Sequence, residues 1–279
     1  MDTIMNSSAN LSAINPEVWS QRWYDVLLAE LPFNSVVARD YEGEIKALGS
    51  VVHINSIPEF GDAEDLAEDG AADADGITVA QQDLTINKQI VKDFIVTDKA
   101  LLQSLPFMDK LRELAIYAIN KKVQRYIIEA SIPSASAPDH SIAYDSGTTL
   151  ALADMLEGKE LLDNADVPGS DRHAVMGSAQ VNDLFNITGF TSRDFLMAGS
   201  PMQSGQIPDG LLGFRPHFTT EVANTSYWFH RSYFTMAAQK ELEIKEFDLG
   251  VTGKRASRVN ITTLAGFKLL DSVRLVSLS

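Results

Sequence analysis

The chain has 279 residues, 45% of them hydrophobic, and a formal net charge of −15. That apolar content is ample for a core in one large domain or two, and it excludes wholesale disorder. The negative balance excludes sequence-specific DNA or RNA recognition, which works through Lys and Arg on phosphates, and the absence of cysteine excludes disulfide frameworks and thiolate metal sites. No run of eighteen apolar residues is present, so no membrane span is expected. The N-terminus has neither a basic nor an apolar segment and does not read as a signal peptide. Lack of cysteine fits synthesis in a reducing cytoplasm.

Residues 1–15 are small and polar and read as a loose arm. Asn15-Pro16 then offers an N-cap with Pro at the first helical position. Trp19, Trp23, Val26 and Leu27 follow at helical spacing, and Pro32 ends the element. Its apolar face is expected to pack on the body or on a neighbouring copy. Gly43 and Gly49 bracket a turn into a strand at 51–57, and a second strand is expected at 83–96. In the second, Leu84, Ile86, Ile90, Phe94 and Val96 share one face, with Asp83, Thr85, Asn87, Gln89 and Asp93 on the other. Fourteen residues extend about 46 Å. A two-stranded arm of that reach is marginal alone, so it is expected to lie on another copy of the chain.

Between these strands run twenty-five residues with eight acids and no Lys or Arg: Glu59, Asp62, Glu64, Asp65, Glu68, Asp69, Asp73 and Asp75. A connection this long inside a compact domain is functional or disordered. Thr97-Asp98 caps a short helix, Lys99 to Ser104, and Pro106 opens the longest helix, running to about Ala130. Its stripe is Met108, Leu111, Ala115, Ile119, Val123 and Ile127, on a rod of about 37 Å. Lys121, Lys122 and Arg125 form the main basic cluster on that helix. They read either as a solvated face with Glu129 at i+4 from Arg125, or as a receptor for an acidic arm of another subunit.

Beyond a Pro/Ser linker the pattern predicts a helix over Thr149–Asn164, a buried strand at Ala174–Met176 and a small helix from Ser178 to Phe185. Residues 187–210 read as a surface loop. Strands are expected at Leu211–Thr219, Tyr227–His230, Glu241–Phe247, Arg258–Thr263 and Phe267–Leu278, with a short helix at Ser232–Ala238.

Catalytic signatures are missing. The histidines, His53, His140, His173, His217 and His230, show no metal spacing, and no G-x-S-x-G or G-x-G-x-x-G occurs. Residues 250–255 fail the P-loop spacing and read as a hairpin turn. Placing Gly76 at the sixth position of an EF-hand puts Ala71 and Gln82 where carboxylates are required. No cofactor, metal site or catalytic residue is therefore assigned.

In element order the chain resembles tailed-bacteriophage major capsid proteins of the HK97 fold, an α+β class. The segment from Val18 to Ile57 resembles the arm and the entry to the extended loop, and Gln82–Asp98 its return strand. Met108–Glu129 resembles the spine helix, Leu161–Phe185 the helix-strand-helix passage of the axial domain, and His230–Phe247 with Gly266–Leu278 the returning strands. The resemblance implies an N-terminal arm and helix at 1–42 and an extended hairpin (E-loop) at 43–97. It further implies a peripheral-domain spine helix at 98–137, an axial domain at 138–226 and returning strands at 227–279.

The implied function is a coat protein, not an enzyme. It would self-assemble through pentameric and hexameric capsomers into an icosahedral shell, enclosing double-stranded DNA without sequence-specific binding. Its place would be the virion, after assembly in the bacterial host cytoplasm. Only about fifteen loose residues precede the first helix, so a separate scaffolding protein is expected, with portal and decoration proteins as further partners. With no Lys between Glu59 and Asn87, a loop-tip isopeptide crosslink is not expected. The subunit interface is expected at Trp19, Trp23, the eight acids, and Lys121, Lys122 and Arg125. Other readings are an encapsulin-like nanocompartment holding a cargo enzyme, an enzyme using Asp163, Asp166 and Asp171, and a calcium-stabilised adhesin.

Overall fold

The computed structural model describes residues 28–45, 49–58, 63, 65, 76–99, 108–145, 147–187, 210–249 and 255–279. Several expected features fall outside them: the tryptophan helix up to residue 27, the rest of the short helix after Lys99, most of the 187–210 loop and residues 250–254 of the turn.

Two single-turn helices, α1 (Phe33–Val36) and α2 (Glu42–Ile45), precede strands β1 (Val51–Ser56) and β2 (Ala80–Thr97). Helix α3 (Met108–Ala130) is followed by β3 (Ser141–Ile142), α4 (Leu152–Asn164), β4 (Arg172–Met176) and α5 (Ser178–Asn186). Strands β5 (Arg215–Phe218), β6 (Ser226–His230), β7 (Phe234–Asp248), β8 (Ala256–Leu269) and β9 (Leu275–Leu278) complete the chain. They form a four-stranded sheet, β1-β2-β8-β7, and a five-stranded sheet, β3-β9-β6-β4-β5.

Helix α3 lies across the four-stranded sheet. The predicted stripe closes on it: Ala115, Ile119, Val123 and Ile127 are buried with Ile90, Val259 and Ile261. Asp109 in the first turn suits the positive end of the helix dipole. At the other end the Ser131 hydroxyl meets the Ile127 carbonyl at 2.7 Å and the Tyr233 hydroxyl at 3.0 Å, which ties the helix end into the core.

The five-stranded sheet is covered on both faces, which is why every residue of β4 is buried, Arg172 and His173 as well as the apolar Ala174, Val175 and Met176. Val175, Phe229 and Leu275 point toward the α3 side. Ala174, Met176, Trp228, Val276 and Leu278 point toward Met155 and Leu162 of α4 and Leu184 of α5. Helix α4 begins where buried Asp154 accepts the backbone N–H of Ala151 at 2.8 Å and that of Asp145 at 3.3 Å.

The arm differs from its expected form. Strand β1 pairs with β2 only from Val51 opposite Thr85 to Ser56 opposite Ala80. From Ile86 to Thr97, β2 pairs instead with β8, from Gly266 to Ala256. Most of the 83–96 strand is thus part of a larger sheet, because its apolar face is needed to pack α3. The two-stranded part is short, and at its root Val52 and Leu84 bury against Ile45, Ile86 and Ala237. Gly266 stands opposite Ile86 where the ladder slips, and a Cβ there would meet the Thr85 carbonyl oxygen at 2.6 Å.

Other expectations are corrected as well. Ser232–Ala238 is not an α-helix. Arg231–Tyr233 is one 3-10 turn, and Phe234 begins β7, since Phe234, Thr235, Met236 and Ala237 are all buried in a sheet. The two strands expected at Arg258–Thr263 and Phe267 onward join as β8, which then breaks at Leu270-Asp271. There the Asp271 side chain accepts the Val273 N–H at 3.0 Å, and the chain crosses to the other sheet as β9. Leu211–Thr219 yields strand only at Arg215–Phe218, because Gly210 and Gly213 at φ 101° and 90° make a turn closed by a Leu211–Phe214 bridge.

Candidate functional site

The surfaces that mark this molecule are exposed apolar side chains on the arm and the sheet, and the basic cluster on α3. At the arm, Val52 and Leu84 face the body, whereas His53 and Asp83 face away. His53 Nδ1 lies 2.7 Å from Asp83 Oδ1, and the Gln81 amide donates to the same carboxylate at 3.1 Å. These bonds, His53 first, hold the Asp83 carboxyl below the usual carboxylate range. Just beyond the last pair, Ile57, Ile77 and Val79 are 65%, 68% and 54% exposed. Apolar β-branched residues in water at the end of a narrow ribbon gain nothing from their own chain.

A second uncovered surface lies on the side of the four-stranded sheet turned away from α3. Ile95 and Phe247 flank Arg258 across three strands, and both are exposed, as is Val91. Arg258 pairs with Asp93, which also accepts from Asn260 and is held below the ordinary carboxylate range, by Arg258 foremost. Sequence reasoning passed over Val91 and Ile95. The signal was present, since both interrupt the polar alternation of Asp83, Thr85, Asn87, Gln89 and Asp93.

The basic cluster on α3 divides. Lys121 Nζ and Arg125 Nε reach the two oxygens of Glu221 at 2.7 and 2.9 Å. Their partner is therefore a residue between β5 and β6, not Glu129. The Glu221 side chain is only 10% exposed. Burial raises its pKa, but hydrogen bonds from Lys121 and then Arg125 outweigh this, and the net shift is downward. These two cations clasp α3 to the other sheet. Lys122 points elsewhere, its Nζ 4.4 Å from the centre of the Tyr126 ring, and Lys88 of β2 stands over the same ring at 5.4 Å.

The remaining expected interface residues, Trp19, Trp23, Glu59, Asp62, Glu64, Glu68, Asp69, Asp73 and Asp75, lie outside the described residues, whereas Asp65 is described and exposed. The carboxylates weighed for catalysis have structural work. Asp163 binds Arg172 at 2.6 Å and also holds Lys159, while Asp166 and Asp171 sit in left-handed turns at φ 52°. Among the described residues no three His, Asp or Glu side chains are grouped to hold a metal ion, and no helix is long and apolar enough to cross a membrane. His173 and His217 stack across β4 and β5 with Nδ1 and Nε2 3.0 Å apart. Burial, then His217 and Arg215, lowers the His173 pKa to about 4.

The fold is shared with virion shells. A structure from Mycobacterium phage Che8 superposes with a TM-score of 0.79 at 20% identity, over 95% of this chain and 97% of that one. The capsid of cyanophage P-SCSP1u gives 0.79 at 10% identity, over 99% and 96% of the two chains. The capsid of a native GTA particle gives 0.72 at 12% identity, over 98% of each. No curated protein matches the sequence. The model of the phage capsid protein family matches residues 75–273, from the end of the acidic stretch through β8 to the turn before β9. A match over that much of the sequence, on a mixed α+β fold common to phage capsids, places the chain among structural components of the virion: it belongs to the phage capsid protein family.

Proposed function

We propose that this chain is the major coat protein of a tailed double-stranded-DNA phage, building an icosahedral shell from pentameric and hexameric capsomers of itself. The observation that carries the reading is the arm. Its root is buried in the body, yet Ile57, Ile77 and Val79 stand in water beyond the last strand pair. A neighbouring copy covers them in the shell, and a repeated heterologous contact of that kind closes into a ring or cage.

The domain division follows the resemblance. Residues 43–97 are the extended-loop region, of which only the two-stranded end beyond the body at 51–56 and 80–85 is donated, 98–137 carry the spine helix of a peripheral domain, 138–226 form an axial domain, and 227–279 return through both sheets. The arm and helix at 1–42, with Trp19 and Trp23, add to the subunit contact. Scaffolding, portal and decoration proteins complete the assembly pathway. The acidic balance of −15 suits an interior that repels a packed genome.

Negative-stain microscopy of the purified protein tests the shell directly, with round particles of uniform diameter as the expected result. Deleting residues 60–80 should leave a folded monomer, since the buried contacts of Val52 and Leu84 remain, but no shells. Normal particles from that deletion would show that the arm plays no part in assembly.

A further inference from the structure

The chain enters the described residues at Leu28, and hydrogen bonds fix where it does so. The Tyr117 hydroxyl of α3 accepts the Ala29 N–H at 3.0 Å and meets the Ala29 carbonyl oxygen at 3.1 Å. The Thr219 hydroxyl, just past β5, donates to the Glu30 carbonyl at 2.8 Å. Asn34 then donates its side-chain amide to the Asn120 carbonyl of α3 at 3.0 Å. The segment is thus bound to α3 and to the end of β5 before α1 is complete. Beside it, against α5 and the end of β5, lies an open groove of about 490 Å³. Leu28, Ala29, Val181 and Phe218 line it, and Ser178 and Asn182 add polar atoms. Leu28 is 48% exposed there, an apolar side chain in an apolar groove that the described residues leave open.

We infer that this groove seats the indole of Trp23 from the same chain, which makes Trp23 the anchor of the N-terminal arm. The inference concerns the single chain and does not rest on the shell reading. Trp23 stands five residues before Leu28. That is about 8 Å along a helix and about 17 Å along an extended chain, so the groove is within reach either way. Trp19, Trp23 and Leu27 recur at four-residue intervals, which places them on one face of a helix. Leu27 then enters beside Leu28, and Trp23 follows one turn further out. Burying an indole removes about 150–250 Å² from water and calls for an acceptor for its N–H. Val181 and Phe218 offer the apolar wall, and Ser178 and Asn182 carry side-chain oxygens beside it. A neighbour's Trp23 would compete with a five-residue tether, which is equivalent to a local concentration on the order of millimolar. The occupant is therefore the chain's own. Trp23 serves the subunit contact as a positioning residue: it fixes where the first fifteen residues leave the body, and Trp19, one turn further out, is left to the neighbour.

Fluorescence of the full-length, unassembled chain tests the seat. Trp19→Phe leaves Trp23 and Trp228, and Trp228 is sealed in the core at 0% exposed. Acrylamide should quench this variant weakly. Adding Val181→Asp should shift its emission to the red and raise quenching several-fold. The control Trp19→Phe/Trp23→Phe/Val181→Asp, with Trp228 alone, should show neither change. Strong quenching of Trp23 with the groove intact would overturn the inference, and so would a protected Trp23 that ignores Val181→Asp. A response in the control would mark unfolding, and a disulfide then decides. The chain has no cysteine, so Arg22→Cys/Asn182→Cys can be oxidised without side reactions. The expected product is a bridge within single chains. No bridge, a bridge only between chains, or protection of Trp23 that arises only in particles would overturn the assignment. All readings but the last come from the monomer, so a failure to form particles would count against the shell reading alone.

Discussion

The five-stranded sheet and the arm with its adjoining sheet are built from similar residues and meet opposite fates. In the first, β4 and β9 are buried along their whole length, and Trp228, Phe229 and Tyr233 are sealed from solvent. In the second, β1 buries one residue fully, and the outer half of β7, from Glu241 to Asp248, leaves Leu242, Ile244 and Phe247 exposed. Helices on both faces complete the first within one chain. A single helix packs on one face of the second, and among the described residues the other face is left open. On the proposed reading, in which another copy covers the open half, stability and assembly are divided in space, so a substitution should disturb one and spare the other.

The largest effect on the folded chain should come from the completed half. Phe229 stacks on Phe33 at 5.7 Å and packs against Tyr233 at 4.5 Å, so Phe229→Ala should cost about 3–5 kcal/mol in urea unfolding. A loss under about 1 kcal/mol would mean that this sheet is not the stable half. Next comes acid. The His173 pKa falls from 6.5 to about 4 on folding, chiefly through burial, with His217, Arg215 and Arg231 acting the same way and Asp171 opposing. The folded state therefore resists protonation. Its stability is intact above about pH 6.5 and declines as pH falls toward 4, by up to about 3 kcal/mol in total. His230, also lowered, adds in the same direction. Denaturant midpoints measured across this window should show the slope flatten in His173→Gln, and an unchanged slope would clear the histidine pair of the effect. The smallest effect on the monomer belongs to the arm. Ile57→Ser/Ile77→Ser/Val79→Ser should move monomer stability by no more than about 0.5 kcal/mol while particle yield falls. Undiminished yield would dissolve the contrast between the halves.

The sequence made the helices legible because their buried faces are strictly periodic: Ala115, Ile119, Val123 and Ile127 on α3, Met155 and Leu162 on α4. It made β2 legible through alternation, since Leu84, Ile90 and Val96 are all buried as expected. It misled where both faces are covered. The run Phe234–Ala237 has no period, and only the partner strand β8 decides that it is strand rather than helix. Strand pairing was likewise hidden, because β8 lies more than 150 residues from β2 in the chain and no local pattern announces it. The same blindness affected the site. Lys121, Lys122 and Arg125 looked like one cluster by proximity in sequence, but only the fold brings Glu221 to two of them and Lys88 to the third.

Gly266 carries a mechanical consequence. The arm leaves the sheet beside it, and the clearance to the Thr85 carbonyl exists only because residue 266 has no side chain. Ala80 lies six residues beyond Ile86, about 20 Å out, so a pivot of about 10° at this fulcrum swings it by about 3.5 Å, close to one residue's rise. One added methyl group, buried between two strands of the chain's own sheet, would thus be felt at the far end of the lever as a shift of a full step.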